Sequence, residues 1–321
     1  MIAYPIKFAP ILKEKVWGGR KLNTLFNKSS LREAIGESWE ISGVKDNISK
    51  VVNGIYKGKT LNELLQNYKE QFLGKSHYKV FGNTFPLLIK FLDAKKDLSV
   101  QVHPDDAMAK TNHNSFGKTE MWYIIDHEED AEIVLGLKET LDDLSILSNI
   151  TASNVNTVFN TEKVHKGDTY YIPAGKIHAI GAGVLAAEIQ QTSDITYRVY
   201  DWDRPDASGK LRELHTEQAI AATKKMPHKS RKEYAIGPNE EVDLVHCDYF
   251  TTNMMRISYC HTKDYSNIDS FVIFMCVEGT VTIGANGKTE VLHTGETVLI
   301  PACVNNVFFT SHNAKLLEVY I

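Results

Sequence analysis

The chain has 321 residues, 43% of them hydrophobic and 24% charged, with a formal net charge of -4. That length is long for one domain and comfortable for two, with ample material for a core, and the composition is that of an ordinary globular protein. The acidic balance argues against nucleic-acid binding driven by bulk charge, while leaving room for a local basic pocket that takes a small anion.

In chain order, the opening MIAYPIKFAPILKEKVW is interrupted by Lys7 and Lys13 and broken by Pro5 and Pro10, so it reads as neither signal peptide nor membrane span. A cytoplasmic protein without membrane or nucleic-acid partners is expected, with oligomeric state open between monomer and weak dimer. Thr60-Leu61-Asn62-Glu63 opens like a capping box, and Leu61, Leu64, Leu65, Tyr68 and Phe72 then fall on one helical face. Shorter helices are expected around Pro104 to Lys110, Glu139 to Leu147 and Thr216 to Lys225. Elsewhere short apolar or alternating runs predict strands: FPLLIKFL, LSVQVH, EMWYII, TYYIPA, FVIFMCV, TVTIG and TVLIPA. Many short strands separated by turn residues predict a mainly β chain of sandwiches or barrels. The charged segment MPHKSRKEYAIGPNEE, with Pro227, Gly237 and Pro238, is the expected boundary between units 1–225 and 226–321. Cys247, Cys260, Cys276 and Cys303 are widely spaced, without a C-x-x-C pair, and read as isolated core thiols.

An internal repeat organises the chain. HKGDTYYIPAGKIH starts at His165 and HTGETVLIPACVNN at His293, with Ile172-Pro173-Ala174 matching Ile300-Pro301-Ala302. The glycine permits a tight turn, the acid and threonine favour turn hydrogen bonds, and the Ile-Pro-Ala ends a strand at a bend. Those residues belong to the fold. His178 faces Asn306 in the other copy, so the histidine need not.

In LSVQVH, Leu98, Val100 and Val102 alternate with Ser99, Gln101 and His103, which sends the two sets to opposite faces of a strand. In a small barrel the polar face can point into a ligand-holding interior. Lys118 and Glu120 share a face of the following strand. Gln101, His103, Glu120 and His178 together offer two imidazoles, a carboxylate and an amide oxygen without a thiolate. Such a set suits one divalent metal, zinc first, with manganese, cobalt or iron as alternatives. Each residue also has a plainer reading: His103 as a turn histidine bonded to a nearby Asp, His178 as a half-buried strand end, Glu120 as a solvated charge beside Lys118. In EIQQTSDITYRVYDWDR, Glu188, Asp194 and Arg198 are either a loop ion pair of little value or a proton-transfer carboxylate beside an anion-binding guanidinium. Lys90, inside an apolar run, either snorkels outward or points into a pocket beside Ser99.

QVHPDD, KTEMW, YIPAGKIHAI and EIQQTSDITYRVYDWDR, with VWGG and GESWEIS near the start, resemble the short bacterial form of the type I mannose-6-phosphate isomerases of the cupin superfamily. The resemblance covers most of residues 1–210; past about residue 225 it rests on length and on the degenerate repeat. It implies two cupin-type jelly-roll barrels, the first metal-binding and the second degenerate, with a few short helices inserted. It implies metal ligands at Gln101, His103, Glu120 and His178. Around the sugar phosphate it implies Lys118, Glu188, Asp194 and Arg198, with Lys90 and Ser99 on the phosphate side. The implied activity is interconversion of mannose 6-phosphate and fructose 6-phosphate through an enediol. Glu188 is the first choice of base and Lys118 the second, with metal-bound hydroxide a third. The rival readings are another metal-dependent cupin enzyme, an oxygenase or sugar epimerase, and a non-catalytic sugar-binding cupin.

Overall fold

Strands dominate the computed structural model, which describes residues 3–28, 34–139, 141, 143–205, 208–226 and 231–321. A seven-stranded antiparallel sheet runs in the order Ile11–Gly19, Ile35–Ile41, Leu87–Ala94, Val184–Gln191, Glu120–Asp126, Thr169–Ile172 and Arg231–Lys232. A five-stranded sheet holds Tyr197–Tyr200, Val100–Val102, His178–Ile180, Glu132–Leu137 and Phe159–Lys163 in that order. The third sheet belongs to the C-terminal part and centres on the long strands Thr251–Asp264, Val272–Ala285 and Asn306–Tyr320. The mainly β expectation holds. Among the described residues, the hydrogen-bonded ladders form three open sheets and close no barrel.

The period-two alternation of the strands sorts their side chains between layers. In Glu120–Asp126, Trp122 and Ile124 pack with Leu98, Ile133, Leu135 and Ile180 of the five-stranded sheet, while Met121, Tyr123 and Ile125 pack on the opposite face. That opposite face joins Leu61, Leu64 and Leu65 to Met254, Phe271, Ile273 and Leu317 in one core, so the C-terminal part packs into the core of the first. Val100, Val102, Ala179 and Val199 cover the outer face of the five-stranded sheet beneath the helix Thr216–Ala222.

Helix Leu61–Tyr68 starts at the expected capping box, with Thr60 Oγ accepting from the Glu63 N–H and the Glu63 carboxylate accepting from the Thr60 N–H. It ends sooner than expected. Lys69 takes φ 46°, and Phe72 sits buried on a separate short helix, Glu70–Leu73. Helix Asp106–His113 is capped by the Asp105 side chain, and only a 3-10 turn, Leu144–Asn149, answers the expected helix from Glu139. Thr140 and Asp142 lie outside the described residues. FVIFMCV and TVTIG, read as two strands, are one strand, Val272–Ala285, bent where Gly279 takes φ 84°. Residues 227–230 of the expected boundary segment lie outside the described residues; Arg231–Lys232 still pairs with Thr169–Ile172, and the third sheet begins at Glu241. Of the four cysteines, Cys276 is buried, whereas Cys260 is exposed and is no core thiol.

The repeat is a repeat of structure. Asp168 accepts from the His165 N–H and Glu296 from the His293 N–H, both at 2.8 Å. Gly167 donates to Ile124 O and Gly295 to Cys276 O, again both at 2.8 Å. The ladders agree as well: Glu120 pairs Ile172 as Val272 pairs Ile300, and Trp122 pairs Glu188 as Phe274 pairs Glu318.

Gly167 and Gly295 both have positive φ, 94° and 86°, where a Cβ is strained. A Cβ on Gly167 would meet only the Tyr234 hydroxyl at 3.7 Å, but one on Gly295 would lie 2.2 Å from the Phe26 ring. Gly167→Ala should therefore cost about 1–2 kcal/mol from the backbone alone, and Gly295→Ala distinctly more. Urea unfolding of both variants measures this, and equal losses would contradict the packing argument.

Candidate metal centre and catalytic cavity

Between the seven- and five-stranded sheets the core turns polar. Glu120 enters from the first sheet on the same face as Trp122, and Gln101 and His178 are direct ladder partners in the second. His103 follows one residue past the strand Val100–Val102. His103, Glu120 and His178 are all buried, with one ligand atom of each within 4.8 Å of the others. The plainer readings of Glu120 and His178 fail on burial, and the His103 ring bonds Ile195 O rather than an Asp among the described residues.

The hydrogen bonds fix which way the imidazoles point. His103 Nδ1 bonds Ile195 O at 2.9 Å and His178 Nδ1 bonds Lys176 O at 2.8 Å. A carbonyl only accepts, so each Nδ1 carries the proton and each Nε2 presents a lone pair. Those lone pairs face each other at 3.1 Å and face the Glu120 carboxylate at 3.2 and 3.4 Å. Glu120 Oε1 is buried without a hydrogen-bond donor. Burial, assisted by the Lys118 charge, pushes the His103 imidazolium pKa down to about 3, and burial likewise lowers that of His178. Burial would raise the Glu120 carboxyl, but the adjoining Lys118 charge outweighs it and holds it well below the usual range. Two neutral nitrogens and an ionised carboxylate therefore converge in a buried pocket, an arrangement that fits a divalent cation. The Gln101 amide meets His178 Nε2 at 3.4 Å, and a half-turn exchanges its oxygen and nitrogen ends. Lys118 Nζ lies 2.7 Å from His103 Nε2 and also contacts the Glu120 carboxylate.

Gln101 and Lys118 connect this centre to a cavity of about 130 Å³. Lys90, Ser99, Glu188, Asp194 and Arg198 all line it, so the structure gathers every other predicted site residue there. Lys90 does not snorkel. It is buried, bonding Glu188 at 2.8 Å and Gln190 at 2.6 Å, while the Trp122 indole donates to the other Glu188 oxygen at 3.1 Å. Burial alone would lower the Lys90 pKa; the carboxylates of Glu188, Glu37 and Glu120 reverse that and raise it. Asp194 is exposed and forms no ion pair with Arg198 among the described residues. Arg198 donates through Nη1 to Glu213 O at 2.6 Å, and its Nε is buried without a hydrogen-bond partner among the described residues. Burial and then the neighbouring Arg212 lower the pKa of its guanidinium, which marks a cation short of negative charge. Arg212 itself is held by Asp201 through two bonds.

Lys15, Trp17, Glu37, Trp39 and Arg212 also line the cavity and were missed as site residues. The alternation of Glu37 and Trp39 in GESWEIS was the available signal, since the two share a strand face; Arg212 carried none.

The second copy lacks the centre. By ladder register Val272 stands where Glu120 does, and by the sequence repeat Asn306 stands where His178 does. Val272 packs into an apolar core with Phe274, Cys276, Ile300 and Leu316. Glu318, in register with Glu188, is buried and satisfied by Asn253 at 2.8 Å, Lys263 at 2.9 Å and the Tyr265 hydroxyl.

Residues 6–142 match the family described as phosphomannose isomerase type I, catalytic domain, and residues 240–321 match mannose-6-phosphate isomerase, cupin domain. The chain is 37% identical over 308 residues to mannose-6-phosphate isomerase ManA of Bacillus subtilis, covering 94% of each chain. It is 36% identical over 307 residues to mannose-6-phosphate isomerase of Streptococcus mutans, covering 95% of each. It superposes on a crystal structure of mannose 6-phosphate isomerase from Bacillus subtilis with a TM-score of 0.86, at 36% identity and 99% coverage of both chains. A mainly β chain of cupin type with a buried His-Glu-His cluster that could hold a metal defines the class, a cupin-type enzyme. The chain belongs to the type I phosphomannose isomerase family.

His178→Asn, which installs the residue of the second copy, should lower affinity for a divalent metal at least about 100-fold, as removal of a ligand does more than loss of its supporting bond. Elemental analysis after dialysis against a weak chelator reads this; full retention of metal would remove His178 from the centre.

Proposed function

We propose that the chain interconverts mannose 6-phosphate and fructose 6-phosphate by moving one proton between C1 and C2 of the open-chain sugar and another between the oxygens on those carbons. The observation that carries this reading is the convergence of His103, Glu120 and His178 beneath a cavity whose walls bear both a buried carboxylate and an under-compensated guanidinium. His103, Glu120 and His178, with the Gln101 oxygen, would hold one divalent metal, zinc by preference for an N/O set without thiolate. When bound, the metal supplies positive charge that lowers the barrier to forming an enediol by stabilising oxygen charge.

The residues of the chain divide the remaining work. Arg198 takes the phosphate, because its planar fork pairs with phosphate oxygens and its Nε has no other partner. Ser99 and Lys90 line the same cavity and assist, Lys90 chiefly through the Glu188 and Gln190 groups it holds. Glu188 moves the proton between the two carbons, fixed in direction by Lys90 and Trp122. Lys118 is the second reading for that role, favoured by its contact with His103 and Glu120. Asp194 stands at the mouth, where it can bond sugar hydroxyls. We also infer that residues 1–225 and 226–321 are two jelly-roll units of one duplicated design. The identical ladder registers and turn hydrogen bonds support this, and only the first unit carries chemistry.

A coupled assay for fructose 6-phosphate from mannose 6-phosphate tests the activity. Turnover should vanish after chelation and return with zinc, manganese or cobalt; no turnover with any metal from folded, metal-loaded protein would refute it. Glu188→Gln should lower kcat at least about 100-fold with metal content unchanged; retained kcat would move proton transfer to Lys118. Arg198→Ala should weaken mannose 6-phosphate about 10- to 100-fold, the worth of a charge-assisted pair, and barely change competition by free mannose. Equal loss for both would sink the phosphate assignment.

A further inference from the structure

Lys118 lines the catalytic cavity and touches the His103 and Glu120 side chains, but it stands ahead of the strand that carries Glu120. The ladders of that strand begin only at Glu120 itself. A functional side chain presented from a loop depends on other bonds to hold it in place.

One carboxylate organises those bonds. Asp106, the first residue of the helix Asp106–His113, accepts on Oδ1 from the Gly117 N–H at 2.8 Å and from the Gln191 amide nitrogen at 3.0 Å. The Gln191 amide oxygen in turn accepts from the Thr119 N–H at 2.8 Å. That amide can face only one way, because a carboxylate only accepts and an N–H only donates. Both chain neighbours of Lys118 are therefore tied to Asp106, Gly117 directly and Thr119 through Gln191. The Lys118 N–H donates to Pro104 O at 3.1 Å. Gly117 permits the close approach, since a Cβ there would lie 2.7 Å from Asp106 N.

The second Asp106 oxygen is met from the other half of the chain. Tyr249 lies on the turn between the strands Glu241–His246 and Thr251–Asp264, and its hydroxyl donates to Asp106 Oδ2 at 2.8 Å. Burial and then the Asp106 carboxylate raise the pKa of that hydroxyl, so it stays a donor. The adjoining Phe250 anchors the turn in the core that both halves share. We infer that Asp106 is a positioning residue for Lys118, and that the C-terminal half supports catalysis through the Tyr249 hydroxyl. Neither residue lines the cavity, so both act through where Lys118 stands. The kinetic consequence rests on the isomerase reading; the geometry rests on the hydrogen bonds alone.

Tyr249→Phe removes one hydroxyl and keeps the ring. Amide hydrogen exchange of the segment 115–121, read by mass spectrometry, should quicken about threefold to tenfold, the value of one hydrogen bond, with exchange in the C-terminal sheet unchanged. For mannose 6-phosphate, kcat per bound metal should fall by a similar factor at unchanged KM. Asp106→Ala releases both neighbours of Lys118 and should lower kcat about 100-fold, as displacement of a reacting group does. Asp106→Asn keeps an oxygen for Gly117 and Gln191 and should return kcat to within about threefold of wild type. Unaltered exchange or unaltered kcat in the Tyr249→Phe protein would overturn the inference. So would a loss in the alanine variant that asparagine does not restore. A wild-type protein without turnover would refute the isomerase reading instead, and the exchange rates would still decide whether Tyr249 holds the Lys118 segment.

Discussion

Lone pairs that face lone pairs are the constraint around which the N-terminal half is arranged. His103 Nε2, His178 Nε2 and the Glu120 carboxylate meet at 3.1 to 3.4 Å inside a region closed to solvent. Such groups repel one another, the more so in a buried, low-dielectric interior. A positive centre makes the arrangement favourable, and the backbone carbonyls of Ile195 and Lys176 prevent the rings from escaping by changing tautomer. The centre also needs exact partners from two sheets. Gln101 and His178 must pair in one sheet, and Glu120 must point toward them from the other. A one-residue slip in either ladder would turn its ligands into the opposite core.

The C-terminal copy shows what the same backbone does without that demand. Its ladder is in the same register, yet Val272 replaces the carboxylate and the interior is apolar. The substitutions belong together physically. A carboxylate at Val272 without imidazoles or metal would be a buried, unpaired charge, which is among the costliest features a core can hold. Glu318 survives in the position of Glu188 because it has partners of its own, Asn253, Lys263 and Tyr265. The turn residues stay in both copies because the turn itself uses them.

Local chemistry was legible in the sequence where it was self-contained. The capping box at Thr60, the paired turns and the alternation through Gln101 and His103 all follow from residues within a few positions of one another. Tertiary pairing was not. Helix Leu61–Tyr68 stops at Lys69 although the apolar spacing continues to Phe72, since Phe72 reaches the core from a separate turn. Gly279 reads as a strand end and is a bend within one long strand, held together by pairing with Asn306–Tyr320. The expected barrels are open sheets, because closure depends on contacts between distant edges that no local pattern encodes. Glu37 and Trp39 were missed for the same reason: their alternation was visible, but nothing local says which face meets the cavity.

Lys90 shows how burial and charge divide the catalytic cavity. The Lys90 ammonium is buried, and would lose its proton if it stood alone. Glu188 and Glu37 reverse that tendency, and the Gln190 oxygen completes its coordination. Glu37 is held in turn by Lys15 at 3.0 Å and by the Trp39 indole at 2.5 Å. This end of the cavity is therefore a closed network in which each charge already has its partner. Arg198, beside Arg212 and with an unpartnered Nε, is the opposite case. An incoming dianion gains most where positive charge is least compensated, so it is drawn to the arginine end.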